Sequence, residues 1–187
     1  MKKTLSTAVL AALAIAAVPA AASTGPTSGT VQVNGNVAAK CFVGTPIGGT
    51  INLGELAQED GTVDPAFSKA GEKSAMFTVR CNGANPQLSV EALPLVNSAA
   101  TQVANGYTNK VHYTAKLEAK RAKGDTTTVS NQSRNNGATT ERLGDRLAAE
   151  ANNLKLSISD GSTESTTAIL DAGVYQGSVN VTITAPL

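Results

Sequence analysis

From residue 29 to residue 43 the chain reads GTVQVNGNVAAKCFV, and Val31, Val33, Val37, Ala39, Cys41 and Val43 alternate there with other positions. Successive side chains of a β-strand point to opposite faces, so this period of two predicts a strand with one apolar side that needs a hydrophobic cover. The same period returns along the chain. Residues 50–56 place Ile51 and Leu53 on one face, 74–81 place Ala75, Phe77, Val79 and Cys81, and 87–93 place Leu88, Val90 and Ala92. Residues 110–120 place Val111, Tyr113, Ala115, Leu117 and Ala119, 153–160 place Leu154, Leu156 and Ile158, and 173–186 place Tyr175, Val179, Val181 and Ile183. Half-buried strands of this kind, separated by Gly, Pro, Asn and Asp, predict an all-β chain folded as a β-sandwich.

Two segments depart from the pattern. Residues 122–138 are rich in Gly, Asp, Thr, Ser, Asn and Arg without apolar periodicity, which reads as an exposed loop or a long hairpin tip. Residues 140–154 instead space Leu143, Leu147, Ala151 and Leu154 by three or four, with Thr139 or Thr140 as N-cap, so a short amphipathic helix is expected there. Gly144 and Asn152-Asn153 weaken that helix.

Ahead of the strand pattern lies a different signal. Met1, Lys2 and Lys3 form a positive start, Leu5 to Val18 is apolar and Ala-rich, and Pro19-Ala20-Ala21-Ala22 precedes Ser23 as a small-residue cleavage site. Residues 1–22 therefore read as a secretory signal peptide, too short in its apolar run for a membrane span of roughly 20 residues. No internal repeat and no second-domain linker follows.

Composition narrows the function. Lys+Arg total 15 against Asp+Glu 14, and removal of Lys2 and Lys3 with the leader leaves 13 against 14. So balanced a surface gives no basis for binding nucleic acid. Aromatic residues make up 3% and Trp is absent, which argues against stacking platforms for bases or sugars. Export would carry Cys41 and Cys81 into an oxidising compartment, and their spacing suits neither a metal pair nor a redox dithiol, so a structural disulfide is expected. By alternation both sulfurs point into the core. Closing that loop stabilises the fold by about 4 kcal/mol in the chain-entropy model.

Catalytic constellations are nearly lacking. His112 is the single histidine, and alternation puts it opposite Val111, Tyr113 and Ala115, as a solvated strand residue. A histidine triad or metal site is not expected. Asp60-Gly61-Thr62-Val63-Asp64 lacks the repeated acidic ligands of a calcium loop and reads as a plain turn. No Gly-x-Ser-x-Gly elbow and no phosphate-cradling glycine loop occurs. The expectation is a non-enzyme without cofactor or metal.

Gly29-Thr30-Val31-Gln32-Val33-Asn34-Gly35-Asn36-Val37-Ala38-Ala39-Lys40-Cys41, then Thr50-Ile51-Asn52-Leu53-Gly54-Glu55-Leu56, then Cys81, resembles the N-terminal half of chaperone–usher pilus subunits, especially type 1 major pilins, over residues 23–81. Toward the end, Gly173-Val174-Tyr175 and Val179-Asn180-Val181-Thr182-Ile183 are more similar to archaic-type pilins and spore-coat-U-like domains. The resemblance implies an immunoglobulin-like β-sandwich at 35–187 that lacks its final strand, with a donor-strand extension at 23–34. In that family the gap between the sheets is an apolar groove. The donor segment would be Thr24–Asn34, with Val31 and Val33 filling groove pockets and Gly29 at the small position where donor passes close to acceptor. Implied partners are neighbouring subunits in a head-to-tail polymer, a periplasmic chaperone and an outer-membrane usher. The implied destination is a fimbrium at the cell surface, reached through the periplasm and supporting adhesion or biofilm formation. The alternatives are a self-contained secreted β-sandwich and a carbohydrate-binding adhesin, the latter disfavoured by the scarcity of aromatic residues.

Overall fold

A computed structural model describes residues 29–44, 47–101 and 103–186; the signal peptide expected at 1–22 and the first part of the expected extension, 23–28, lie outside the described residues. The strands are β1 (Cys41–Val43), β2 (Ser74–Phe77), β3 (Val79–Cys81), β4 (Gln87–Ala92), β5 (Leu95–Val96), β6 (Tyr107–Thr108), β7 (Lys110–Lys120), β8 (Thr126–Gln132), β9 (Thr139–Arg142), β10 (Leu154–Ser162), β11 (Ile169–Leu170) and β12 (Val179–Thr184). No helix occurs among the described residues. Val37–Leu187 form one compact unit, and the residues up to Asn36 count as another.

Strand β7 is the spine because its alternation is the longest. It lies between β10 and β8, both antiparallel to it, while β2 pairs with the far side of β10 and β5 with the start of β7. A second antiparallel sheet has the order β12-β4-β9. β1 pairs with β3, and β11 runs parallel to β6. Leu88 and Val90 from β4, Val111, Ala115 and Leu117 from β7, and Leu154 from β10 are fully buried and share one apolar cluster with Phe77 and Val79. The period-two pattern thus does what the sequence predicts over 74–81, 87–93, 110–120, 153–160 and the later part of 173–186.

Four expectations are corrected. The alternation at 29–43 yields a strand only at Cys41–Val43, with Val37 and Phe42 exposed, because the rest meets no ladder partner among the described residues. Residues 50–56 form no strand for the same reason, although Ile51 and Leu53 pack against the core as expected. The loop expected at 122–138 contains β8, whose inward positions include Thr127 and Asn131 beside Val129. Asn131 is satisfied inside by the Ala92 N–H (2.9 Å), the Gly137 carbonyl (3.0 Å) and the Thr139 hydroxyl (2.9 Å), so a polar residue occupies a core-facing site without penalty. The helix at 140–154 is replaced by β9 and turns. Gly144 (φ 75°) and Asn152 (φ 53°) are left-handed, which a helix interior excludes, and the buried leucines reach the core separately, Leu143 just after β9, Leu147 from a bridge to Arg121 and Leu154 as the first residue of β10.

His112 also departs from expectation. It is 6% exposed instead of solvated, because β10 is irregular between Ser159 and Ser162 and the chain beyond it folds over the ring. Its Nε2 lies 2.8 Å from Glu164 Oε1, and Arg134 holds the other oxygen of that carboxylate at 2.8 Å. Hydrogen bonds from His112 and then the Arg134 charge hold the Glu164 carboxyl below its ordinary range. Gly161, at the irregularity, permits the fully buried Phe67 ring: a Cβ there would stand 2.7 Å from it.

Candidate functional site

The sheet β12-β4-β9 ends at β12, and the other sheet ends at β2. These two edges face a common groove. Its first stretch, about 290 Å³, has Ala75 and Phe77 of β2 on one wall, Val179 and Val181 of β12 on the other, and Tyr113, Leu156 and Ile158 beneath; Ile47, Ile51 and Leu53 also line it. A second stretch, about 640 Å³ and of mixed polarity, shares Thr50, Ile51, Leu53 and Leu95 with the first and lies between residues 50–57 and Leu170–Gln176, where Val174 is 73% exposed.

Hydrogen-bond parity fixes what β12 offers. Leu93 N–H donates to the Ser178 carbonyl (2.9 Å) just before the strand, so in the antiparallel register Asn180, Thr182 and Thr184 turn their main-chain groups toward β4. The N–H and C=O groups of Val179, Val181 and Ile183 therefore point along the opposite edge, where no described residue pairs with them. Their side chains pack against the core at the same time. One strand thus presents apolar side chains and open main-chain hydrogen bonds to the same groove, the two things an added strand can use.

The walls are fixed rigidly. Tyr113 donates its hydroxyl to the Ser178 carbonyl (3.0 Å), tying β7 to the start of β12, and burial pushes that phenol up to about 12. Gly177 lets the chain pass tightly under residues 93–94: a Cβ there would lie 2.8 Å from the Pro94 carbonyl oxygen. The Tyr175 hydroxyl, with one proton to give, lies within hydrogen-bond reach of the carbonyls of Thr108 (3.0 Å) and Asp171 (2.9 Å), and burial raises its phenol too.

Cys41 and Cys81 form the expected disulfide, directly opposite each other on β1 and β3 and 40 residues apart in sequence. Both are half-buried; Cys81 packs against the core as expected, whereas Cys41 is not among the residues that do, so the inward placement expected of both holds for Cys81 alone. An intramolecular disulfide points to an oxidising compartment, extracellular or periplasmic. Gly29, Val31 and Val33 lie among the described residues but outside any strand; Val31 is 84% and Val33 90% exposed, and the space around a Cβ at Gly29 is open. The turn at 60–64 uses its carboxylates internally, Asp60 on the N–H and hydroxyl of Thr62 and Asp64 on the N–H groups of Ala66 and Ser68. Those bonds hold both carboxyls below their ordinary range.

Sequence reasoning missed Ile47 and the Leu170–Gln176 wall of the groove. Of the latter the alternation includes only residues 173–176, as the start of a strand over 173–186 that the structure begins at Val179.

The fold and site together define an all-β domain with two adjacent sheet edges bordering one apolar groove, stapled by a disulfide. Comparison with protein-family models, with curated proteins and with solved structures yields no match.

Proposed function

We propose that the chain is an exported structural subunit of a surface pilus, polymerising head to tail by donor-strand exchange. The extension of one copy inserts along β12 of the next and completes an immunoglobulin-like sandwich that is a strand short. The observation carrying this reading is the open edge of β12 above an apolar groove, in a chain whose own extension has a strand's alternation with Val31 and Val33 exposed. Gly29, on their face, suits close passage against the acceptor. Insertion supplies main-chain partners for Val179, Val181 and Ile183 and buries the two valines, each by roughly 1.5–3 kcal/mol. A contact between two different surfaces of the same chain propagates into an open filament. Before assembly the groove needs a cover, the role of a periplasmic chaperone, with an outer-membrane usher delivering subunits to the fimbrium.

Deletion of residues 23–33 tests the reading. Electron microscopy of cells making the variant should find no fibres, whereas fibres as abundant as those of the intact chain would rule the mechanism out. A chain that stays monomeric and ignores an added peptide of residues 24–34 would instead be a self-contained β-sandwich.

A further inference from the structure

The β1–β3 ladder ends at the disulfide, yet the residue after it keeps bonding the opposite chain. Asn82 donates its N–H to the Lys40 carbonyl (3.0 Å), accepts the Lys40 N–H at Oδ1 (2.7 Å), and donates Nδ2 to the Ala38 carbonyl (2.9 Å). Its own carbonyl accepts Arg146 Nη1 (2.8 Å), so it is held from behind while it holds residues 38–40 in front. Gly83 follows, and a Cβ there would lie 2.6 Å from Pro186 Cγ and 3.6 Å from Ala39 Cβ, so the chain end beyond β12 closes on the same spot. One side-chain amide here does the work of a further pair of strand residues. Asparagine carries its acceptor and its donor on two separate atoms, as these two bonds require; aspartate would set a second oxygen against the Ala38 carbonyl.

We propose that Asn82 is a positioning residue for the donor end, fixing residues 38–40 where the chain leaves the domain and so setting the direction in which the extension departs. The inference rests on the donor-strand reading for its consequence. A preset exit reduces the conformational freedom lost when the extension enters a neighbour. In a fibre under tension, the three bonds would also be loaded before Cys41–Cys81.

Asn82→Ala and Asn82→Asp in the intact protein test it with two independent readouts. Amide hydrogen exchange at Lys40 reports the anchor itself: it should accelerate about fivefold in Asn82→Ala, the equivalent of a bond worth about 1 kcal/mol, and less in Asn82→Asp, which keeps the Lys40 bond. Mixing reports the consequence: Asn82→Ala protein should donate more slowly into unaltered acceptors while binding a peptide of residues 24–34 in its own groove as the unaltered protein does. Unchanged Lys40 exchange, unchanged donation, or equal loss of donation and peptide binding would each overturn the proposal. If the unaltered protein fails to bind the peptide, the donor-strand reading falls, whereas the exchange readout still decides whether Asn82 anchors residues 38–40.

Discussion

Truncating Val31 and Val33 together is the sharpest perturbation of the donor-strand reading. At 84% and 90% exposure nearly all of their apolar surface is free to be buried on insertion. Alanine removes two methyl groups from each, and at roughly 0.8 kcal/mol per buried carbon the double change loses about 3 kcal/mol of insertion energy. That corresponds to about a hundredfold in Kd. The assay is fluorescence anisotropy of a labelled peptide of residues 24–34 binding the intact monomeric protein, with and without V31A/V33A in the peptide. Thr30 and Gln32 lie on the opposite face, so T30A/Q32A in the same peptide sets the control and should stay within a few-fold of the unaltered sequence. Gly29→Leu, on the valine face, should weaken binding as well. If the double alanine peptide binds as tightly as the unaltered one, or if T30A/Q32A is the more damaging pair, the two valines do not enter the groove and the assigned register is wrong.

Three further outcomes follow from the domain itself. Replacing both cysteines, C41S/C81S, should lower stability in urea by about 4 kcal/mol for a loop of 40 residues, and a loss under about 1 kcal/mol would show that the ribbon is held by other means. Asn153 is fully buried and bonds both main-chain groups of Val79 (3.0 and 2.6 Å) and the Ala148 carbonyl (2.7 Å); Asn153→Ala strands those groups and should lose about 3 kcal/mol, refuted by a urea midpoint that does not move. Glu164 has a carboxyl held below its ordinary value, so its ion pair contributes above that value and is lost as pH falls through the lowered one. Thermal unfolding of Glu164→Gln should therefore fall less steeply than that of the unaltered protein between about pH 5 and pH 3, and parallel curves would refute the link.

Legibility in the sequence followed the chemistry of the inward positions. β4, β7 and β10 were readable because Val, Leu, Ala and Ile occupy every second place. β8 was not, since Asn131 sits in the core by exchanging water for three partners contributed by distant or looped chain, and a periodicity of apolar residues has no means of registering that. The 140–154 segment misled in the other direction. Its leucines are buried at helical spacing, but Gly144 and Asn152 take left-handed turns that bring each leucine in from a different direction. His112 was misplaced because alternation describes a strand alone; the chain carrying Glu164 and Thr163 covers the face left for solvent. For the site, the β12 face and the cysteine pair were legible, whereas Ile47 and the Leu170–Gln176 wall act through loops without a period.

The remaining mismatches share one physical cause. Strand periodicity goes without a ladder at two places, residues 29–37 and 50–56, while β12 has ladder groups without a strand. A strand pattern is selected by burial of one face and by main-chain pairing together. Ile51 and Leu53 have the first without the second, Val31 and Val33 have neither, and Val179, Val181 and Ile183 have apolar packing on the core with main-chain groups left open. In the proposed fibre a single added strand answers all three, covering the groove, pairing with β12 and giving residues 50–56 a neighbour. A self-contained sandwich would leave each of them unexplained, which is why the peptide titration discriminates between the two readings: it adds the one missing element and nothing else.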